Sequence, residues 1–212
     1  MQKNSNLVAI LALLATVGSL AFLYFTQFAG PPKANLKPFE TLGEMVATET
    51  AKLLGGSGSV VVVMESFEQL ANQSVEPQLK GFKAGLAKAK GVTLKGVEYY
   101  KHGEGEDVSR WPAGLAAKLA AMGQGAAATV LFVALPQSLA PEEIAALKSS
   151  GSKLVLVGGA VPLVKPLLTQ GVFQLAIVNR FPPKPAPKNE TPAEWFGRAY
   201  LVATPVATSE LP

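Results

Sequence analysis

The sequence has no cysteine and one histidine, His102. Without thiols there is no disulfide framework and no cysteine nucleophile, and a single imidazole cannot build the usual zinc ligand sets. Charge is also scarce. Asp, Glu, Lys and Arg make up 16% of the chain, where a quarter is usual. Nineteen Lys and Arg against fifteen Asp and Glu leave a net charge of +4, with a pI near 9.2. The basic residues are scattered and form no run, so no nucleic-acid partner is expected. Nucleotide and catalytic signatures are missing too. No G-x-G-x-x-G follows the first predicted strand, there is no G-x-x-x-x-G-K-[ST], and neither Ser66 nor Ser138 sits in a G-x-S-x-G context. The expectation is a non-enzymatic protein with no cofactor and no metal.

Hydrophobic residues are abundant, at 49%. No charge occurs from Asn4 to Pro32, and LVAILALLATVGSLAFLYF, Leu7 to Phe25, is a nineteen-residue apolar run. As a helix it would span roughly 28 Å, close to the thickness of a bilayer core. Tyr24, Phe25 and Phe28 stand where interfacial aromatics are favoured, and Gly30-Pro31-Pro32 stops the helix. A cleaved signal peptide is the competing reading, but TQFAGPP is a poor cleavage site. Residues 1–32 are therefore expected to be a single-pass transmembrane anchor. The N-terminus is placed in the cytoplasm and the soluble domain in the periplasm or outside the cell. Ala12, Ala15 and Ser19 share one face of that helix, which either lets a second helix approach or reflects the commonness of Ala in such segments.

After a linker and amphipathic helix over 33–58, the pattern alternates. Strands are predicted at 59–65, 92–100, 128–135, 153–159 and 172–180, and helices at 75–91, 111–123, 140–151 and 161–171. Val60-Val61-Val62-Val63 is an unbroken β-branched run, as in a strand buried on both faces. Single helices between strands imply right-handed crossovers. The predicted fold is α/β, an open five-stranded, mostly parallel sheet over 59–181, in the order 2-1-3-4-5, with helices on both faces. Residues 182–212 are expected to be a Pro-rich tail, with five prolines in 181–192. Within it, 198–204 is either an added edge strand or a short helix.

Such sheets hold ligands at the carboxyl ends of their strands. That rule nominates Glu65, Ser66, Gln137, Ser138, Gly158, Gly159, Asn179 and Arg180 as a possible ligand crevice. Gly158-Gly159 either admits a close ligand or makes a tight turn. Glu65 and Glu68 have no His or Lys apparent beside them and read as a solvated loop. His102 reads as a surface loop residue. Glu104, Glu106 and Asp107 nearby could attract a cation weakly but lack the EF-hand pattern. Trp111 is expected to pack on the sheet. Trp195 and Phe196 form an aromatic pair suited either to a partner's groove or to the domain's own surface.

The segments VVVVMESFEQLANQSVEPQLKGFKAGLAKAKGVTLKGVEYY, KLVLVGGAVPLVKPLL and VFQLAIVNRF together resemble one lobe of the type I periplasmic-binding-protein fold shared by sugar receptors and LacI-like regulators. The resemblance covers about residues 59–181, including Gly81 and Gly85 in the helix after the first strand and the polar pair Asn179-Arg180. It implies a solute site at the strand ends. The family encloses its ligand between two lobes, whereas about thirty residues follow Arg180 here. A single lobe buries little of a small molecule. The leading expectation is thus a non-catalytic accessory subunit of a larger membrane complex, such as a respiratory or photosynthetic one. Its partners would be other membrane subunits and the bilayer, and a small-molecule ligand is not expected. The alternative is a membrane-tethered solute-binding or sensory module using the strand ends.

Overall fold

In the computed structural model, residues 2–24, 35–67, 73–102, 110–182, 184–187 and 189–210 are described. The chain divides into two compact units, Met1–Asn35 and Leu36–Pro212.

The first unit carries helix α1, Gln2–Leu23, on which Ala12, Ala15 and Ser19 lie. Among the described residues no helix is long and apolar enough to cross a membrane. The anchor expected over 1–32 is therefore not supported by the described residues. Polar Gln2 to Asn6 occupy the start of α1. The apolar part of α1 runs from Leu7 to Leu23, two residues fewer than the run to Phe25 read from the sequence. Phe25, Phe28 and Gly30-Pro31-Pro32 lie outside the described residues.

The second unit is an α/β domain. Its elements run α2 (Lys37–Leu53), β1 (Gly58–Phe67), α3 (Val75–Lys88), β2 (Val92–His102), α4 (Leu115–Met122), β3 (Ala128–Phe132), α5 (Pro141–Lys148), β4 (Lys153–Val157), α6 (Val161–Thr169), β5 (Leu175–Asn179), α7 (Pro192–Ala199) and β6 (Tyr200–Ala203). A 3₁₀ turn, Pro205–Glu210, follows. The sheet order is β2-β1-β3-β4-β5-β6. The first five strands are parallel, and β6 pairs antiparallel to β5. The sheet thus has six strands where five were expected. The sixth, Tyr200–Ala203, falls within 198–204, where an added edge strand is one of the two readings the sequence leaves open, and helix α7 precedes it in the Pro-rich segment.

Side-chain alternation along the strands feeds two cores. Val61 and Val63 of β1 pack on α4, α5 and α6 through Leu119, Leu147 and Leu168. Val60, Val62 and Met64 face the other layer, which contains α2, α3 and Phe196 of α7. All five residues of β3 are buried, in keeping with a central strand covered on both faces.

Helices α2 and α3 approach at backbone distance. A Cβ placed on Gly43 would stand 2.0 Å from the Gln78 carbonyl oxygen, and one on Gly81 would stand 1.9 Å from the Glu40 carbonyl oxygen. Only glycine at these two positions permits so close a crossing. Lys80–Glu40, at 2.7 Å, and Lys88–Glu44 tie the exposed rims of the pair.

The C-terminal segment is held by local chemistry. Thr191 Oγ1 accepts from the Glu194 amide at 3.3 Å, while Glu194 Oε2 accepts from the Thr191 amide at 2.8 Å. This reciprocal cap starts α7. Arg198 donates from Nε and Nη2 to both carboxylate oxygens of Glu190, at 2.6 and 2.9 Å. The Arg198 guanidinium holds the Glu190 carboxyl below its ordinary range, and the Thr191 hydrogen bonds do the same for Glu194. Phe196 is buried beneath this frame.

Candidate functional site

A cleft of about 290 Å³ opens at the carboxyl ends of β1, β3, β4 and β5, on the side covered by α2 and α3. Its apolar base includes Leu42, Met64 and Phe132. Its polar rim comes from Glu65, Ser74, Gln78, Asn179 and Tyr200, with Gly158 and Gly159 adding bare backbone.

Glu65 is committed to the protein. Its Oε1 is paired with His102 Nε2, and its Oε2 accepts the Ala134 amide at 2.9 Å. The Ala134 carbonyl in turn accepts from Trp111 Nε1 at 2.8 Å. His102, expected on the surface, is buried, with its ring against Tyr100 at 4.7 Å between centroids. The reason is register: His102 pairs with Phe67 at the last rung of the β1–β2 ladder, so its side chain reaches Glu65 across the sheet. This chain of contacts fixes the tips of β1, β2 and β3 together.

Gly158 and Gly159 both have positive φ, at 103° and 87°, and turn the chain from β4 towards α6 while lining the cleft. Asn179, the last residue of β5, lies in register with Tyr200, the first of β6. Opposed residues of an antiparallel pair point to the same face, so both reach the cleft. Of the nominated crevice residues, Glu65, Gly158, Gly159 and Asn179 line it. Ser66 lies one residue beyond Glu65 and donates to the Tyr100 carbonyl at 3.4 Å. Gln137 and Ser138 are exposed beyond β3. Arg180 is half-buried and donates its amide to Ala199 O at 2.8 Å. None of these four lines the cleft. Glu68 and residues 103–109, with Glu104, Glu106 and Asp107, lie outside the described residues. Trp195 packs partly buried against the α2/α3-side core, next to Phe196 and Tyr200.

Leu42, Ser74, Gln78 and Tyr200 were missed by sequence reasoning. Leu42 precedes β1 in the chain. Tyr200 lies in 198–204, which the sequence leaves open as an edge strand or a short helix. The strand-end rule looks at neither place.

The side chains of Gln78, Asn179 and Tyr200 make no hydrogen bond among the described residues. Tyr200 is partly buried, and that burial pushes its phenol above the ordinary value, keeping it protonated as both donor and acceptor. A second hollow of about 390 Å³ lies between the later turns of α2 and α3. There Lys52 and Lys88 already pair with Glu49 and Glu44, leaving a mostly apolar lining.

No family model matches the chain, and no curated protein matches it. Solved structures do match. One is the sugar-binding protein of a sugar ABC transporter from Bacillus halodurans, 14% identical over 82% of this chain and 64% of that one, with a TM-score of 0.51. Another is AraP, an arabinose-binding protein from Geobacillus stearothermophilus, 16% identical over 82% and 63%, TM-score 0.52. A third is a periplasmic solute-binding protein of an ABC transporter from Actinobacillus succinogenes with bound D-allose, 12% identical over 84% and 62%, TM-score 0.52. This chain spans less than two thirds of the length of each.

The likeness shows the fold, which is that of periplasmic solute-binding proteins. All three neighbours are named as binding proteins. They overturn the leading expectation of an accessory subunit of a membrane complex, and with it the partner subunits, the bilayer and the exclusion of a small ligand. The physical error lay in treating the lobe as a bare sheet. Leu42 from α2 and Tyr200 from β6 add walls to the strand tips.

Proposed function

We propose that the domain Leu36–Pro212 is a solute receptor that holds a small, neutral, polyhydroxylated ligand of the sugar class in the cleft at the strand tips. The observation that carries this reading is the set of uncommitted groups there: two amides, Gln78 and Asn179, and one phenol, Tyr200. Each can donate and accept, as a hydroxyl-rich ligand requires. Among the described residues Glu65 is the sole charged side chain lining the cleft, and it is engaged by His102 and the Ala134 amide. A carboxylate or phosphate ligand would find no cation, and an amine would find no free carboxylate. Burying such a charge unpaired is costly, whereas hydroxyls are satisfied by neutral partners.

The apolar base formed by Leu42, Met64 and Phe132 suits the C–H face of a sugar ring. The neighbours whose names state a sugar or an arabinose, and the one holding D-allose, agree with this choice. An extracytoplasmic location goes with the reading, since the third neighbour is a periplasmic protein. Isothermal titration with arabinose, D-allose and D-glucose, and with glutamate and phosphate as charged controls, tests it. Saturable heat with at least one sugar and none with the controls is expected. No heat with any of the sugars, with or without binding of a charged control, would refute the reading.

A further inference from the structure

We propose that Tyr200, supplied by the C-terminal α7–β6 segment, is a ligand-contacting wall of the cleft and a determinant of which sugar it accepts. This rests on the sugar-class reading above. Tyr200 belongs to none of the five parallel βα units that build the sheet, yet it lines the cleft beside Asn179, its partner in register.

Its ring is held from behind. Phe196 stacks on it at 5.5 Å between centroids with 26° between planes, and Trp195 meets it edge-on at 5.7 Å. Those two residues are fixed in turn by the Thr191–Glu194 cap and the Glu190–Arg198 ion pair. The phenolic oxygen has no hydrogen-bond partner among the described residues, and it is not among the sealed polar atoms of the domain. The ring is therefore fixed in place while its hydroxyl stays available. A flat, fixed aromatic surface favours the C–H face of a pyranose, and a fixed hydroxyl at its edge reads the orientation of the sugar's own hydroxyls. An all-equatorial hexose offers an unbroken C–H face, whereas D-allose carries an axial hydroxyl. The two should be separated by Tyr200.

The test measures affinity by calorimetry for D-glucose, D-allose and arabinose in the wild type, Tyr200→Phe and Tyr200→Leu, with a melting curve for each. Loss of the hydroxyl should weaken the preferred sugar by about five-fold, the worth of one hydrogen bond. Loss of the ring should weaken it by about ten-fold or more and shrink the ratio between sugars. Wild-type affinity and unchanged ranking in both variants would overturn the role of Tyr200 while leaving the receptor reading intact. Failure of the wild type to bind any sugar overturns both. If Tyr200→Leu does not fold, Tyr200→Phe decides, because it keeps the packing on Phe196; unchanged affinity and ranking there overturn the proposal.

Discussion

Gly43→Ala should destabilise the domain and loosen the cleft at once. The added Cβ would lie 2.0 Å from the Gln78 carbonyl oxygen, 2.8 Å from the Phe82 amide nitrogen and 2.9 Å from the Gln78 carbonyl carbon. These are backbone atoms of α3 and cannot rotate away. A carbon–oxygen contact needs roughly 3.3 Å, so α2 and α3 must part by about 1.3 Å. Overpacking of this kind costs typically ~1–3 kcal/mol, and the upper end applies because two peptide groups are struck. Alanine in a helix interior returns about 0.8 kcal/mol of propensity. The net loss is then about 2 kcal/mol, or a fall in melting temperature of about 4–8 °C for a domain of this size.

The internal control is Gly197→Ala in α7, where a Cβ would meet nothing within 4 Å. That variant has the same propensity gain without a clash and should melt at or slightly above the wild type. Since Leu42 and Gln78 both line the cleft, Gly43→Ala should also weaken ligand binding. Differential scanning calorimetry of the three proteins reads the stability effect. If Gly43→Ala melts with or above Gly197→Ala, the close crossing of α2 and α3 is wrong.

Three further outcomes are expected. Glu65→Gln leaves His102 without its carboxylate inside a buried site and weakens the acceptor for the Ala134 amide, costing about 1–3 kcal/mol in chemical denaturation; no change in midpoint would refute the rim network. Phe82→Ala removes a fully buried ring that meets Phe132 edge-on at 6.4 Å, and should cost about 3–5 kcal/mol in the same measurement. The carboxyls of Glu190 and Glu194 are both held below their ordinary value of 4.5, so the stability they lend α7 is full above that value and fades as pH falls through their folded values. Acid titration should therefore loosen the aromatic environment of Trp195 and Tyr200, seen by near-ultraviolet circular dichroism. Glu190→Gln should blunt that acid transition, and an unaltered one would count against the assignment.

The sheet was legible because its strands are short apolar β-branched runs separated by amphipathic helices, a pattern with few solutions. Val60 to Met64, Ala128 to Phe132 and Lys153 to Val157 lie inside the predicted strands, and the parallel order follows from the crossovers. In the C-terminal segment an edge strand is one of the two readings left open for 198–204, but helix α7 was missed because proline density outweighed a local cue. Thr191-Pro192-Ala193-Glu194 is a capping box with proline in the first turn, which marks a helix start. His102 could not be placed from its polar, glycine-bearing surroundings, since its burial depends on the strand register that brings it to Glu65. Half of the nominated crevice positions line the cleft, because the rule naming strand ends says nothing about which way each end turns. Leu42 and Gln78 reach the cleft through helix packing, which depends on Gly43 and Gly81 and leaves little trace in hydrophobic spacing.

The central claim is that a neutral sugar occupies the cleft at the strand tips. Amide chemical-shift mapping of the labelled protein during titration with arabinose, D-allose or D-glucose tests it most directly. The account predicts saturable shifts at Gly158, Gly159, Asn179 and Ala134, with Gln78 following. Shifts confined to Gly55, Gly56 and Gly85 at the other hollow, or none with any of the three sugars, would contradict it.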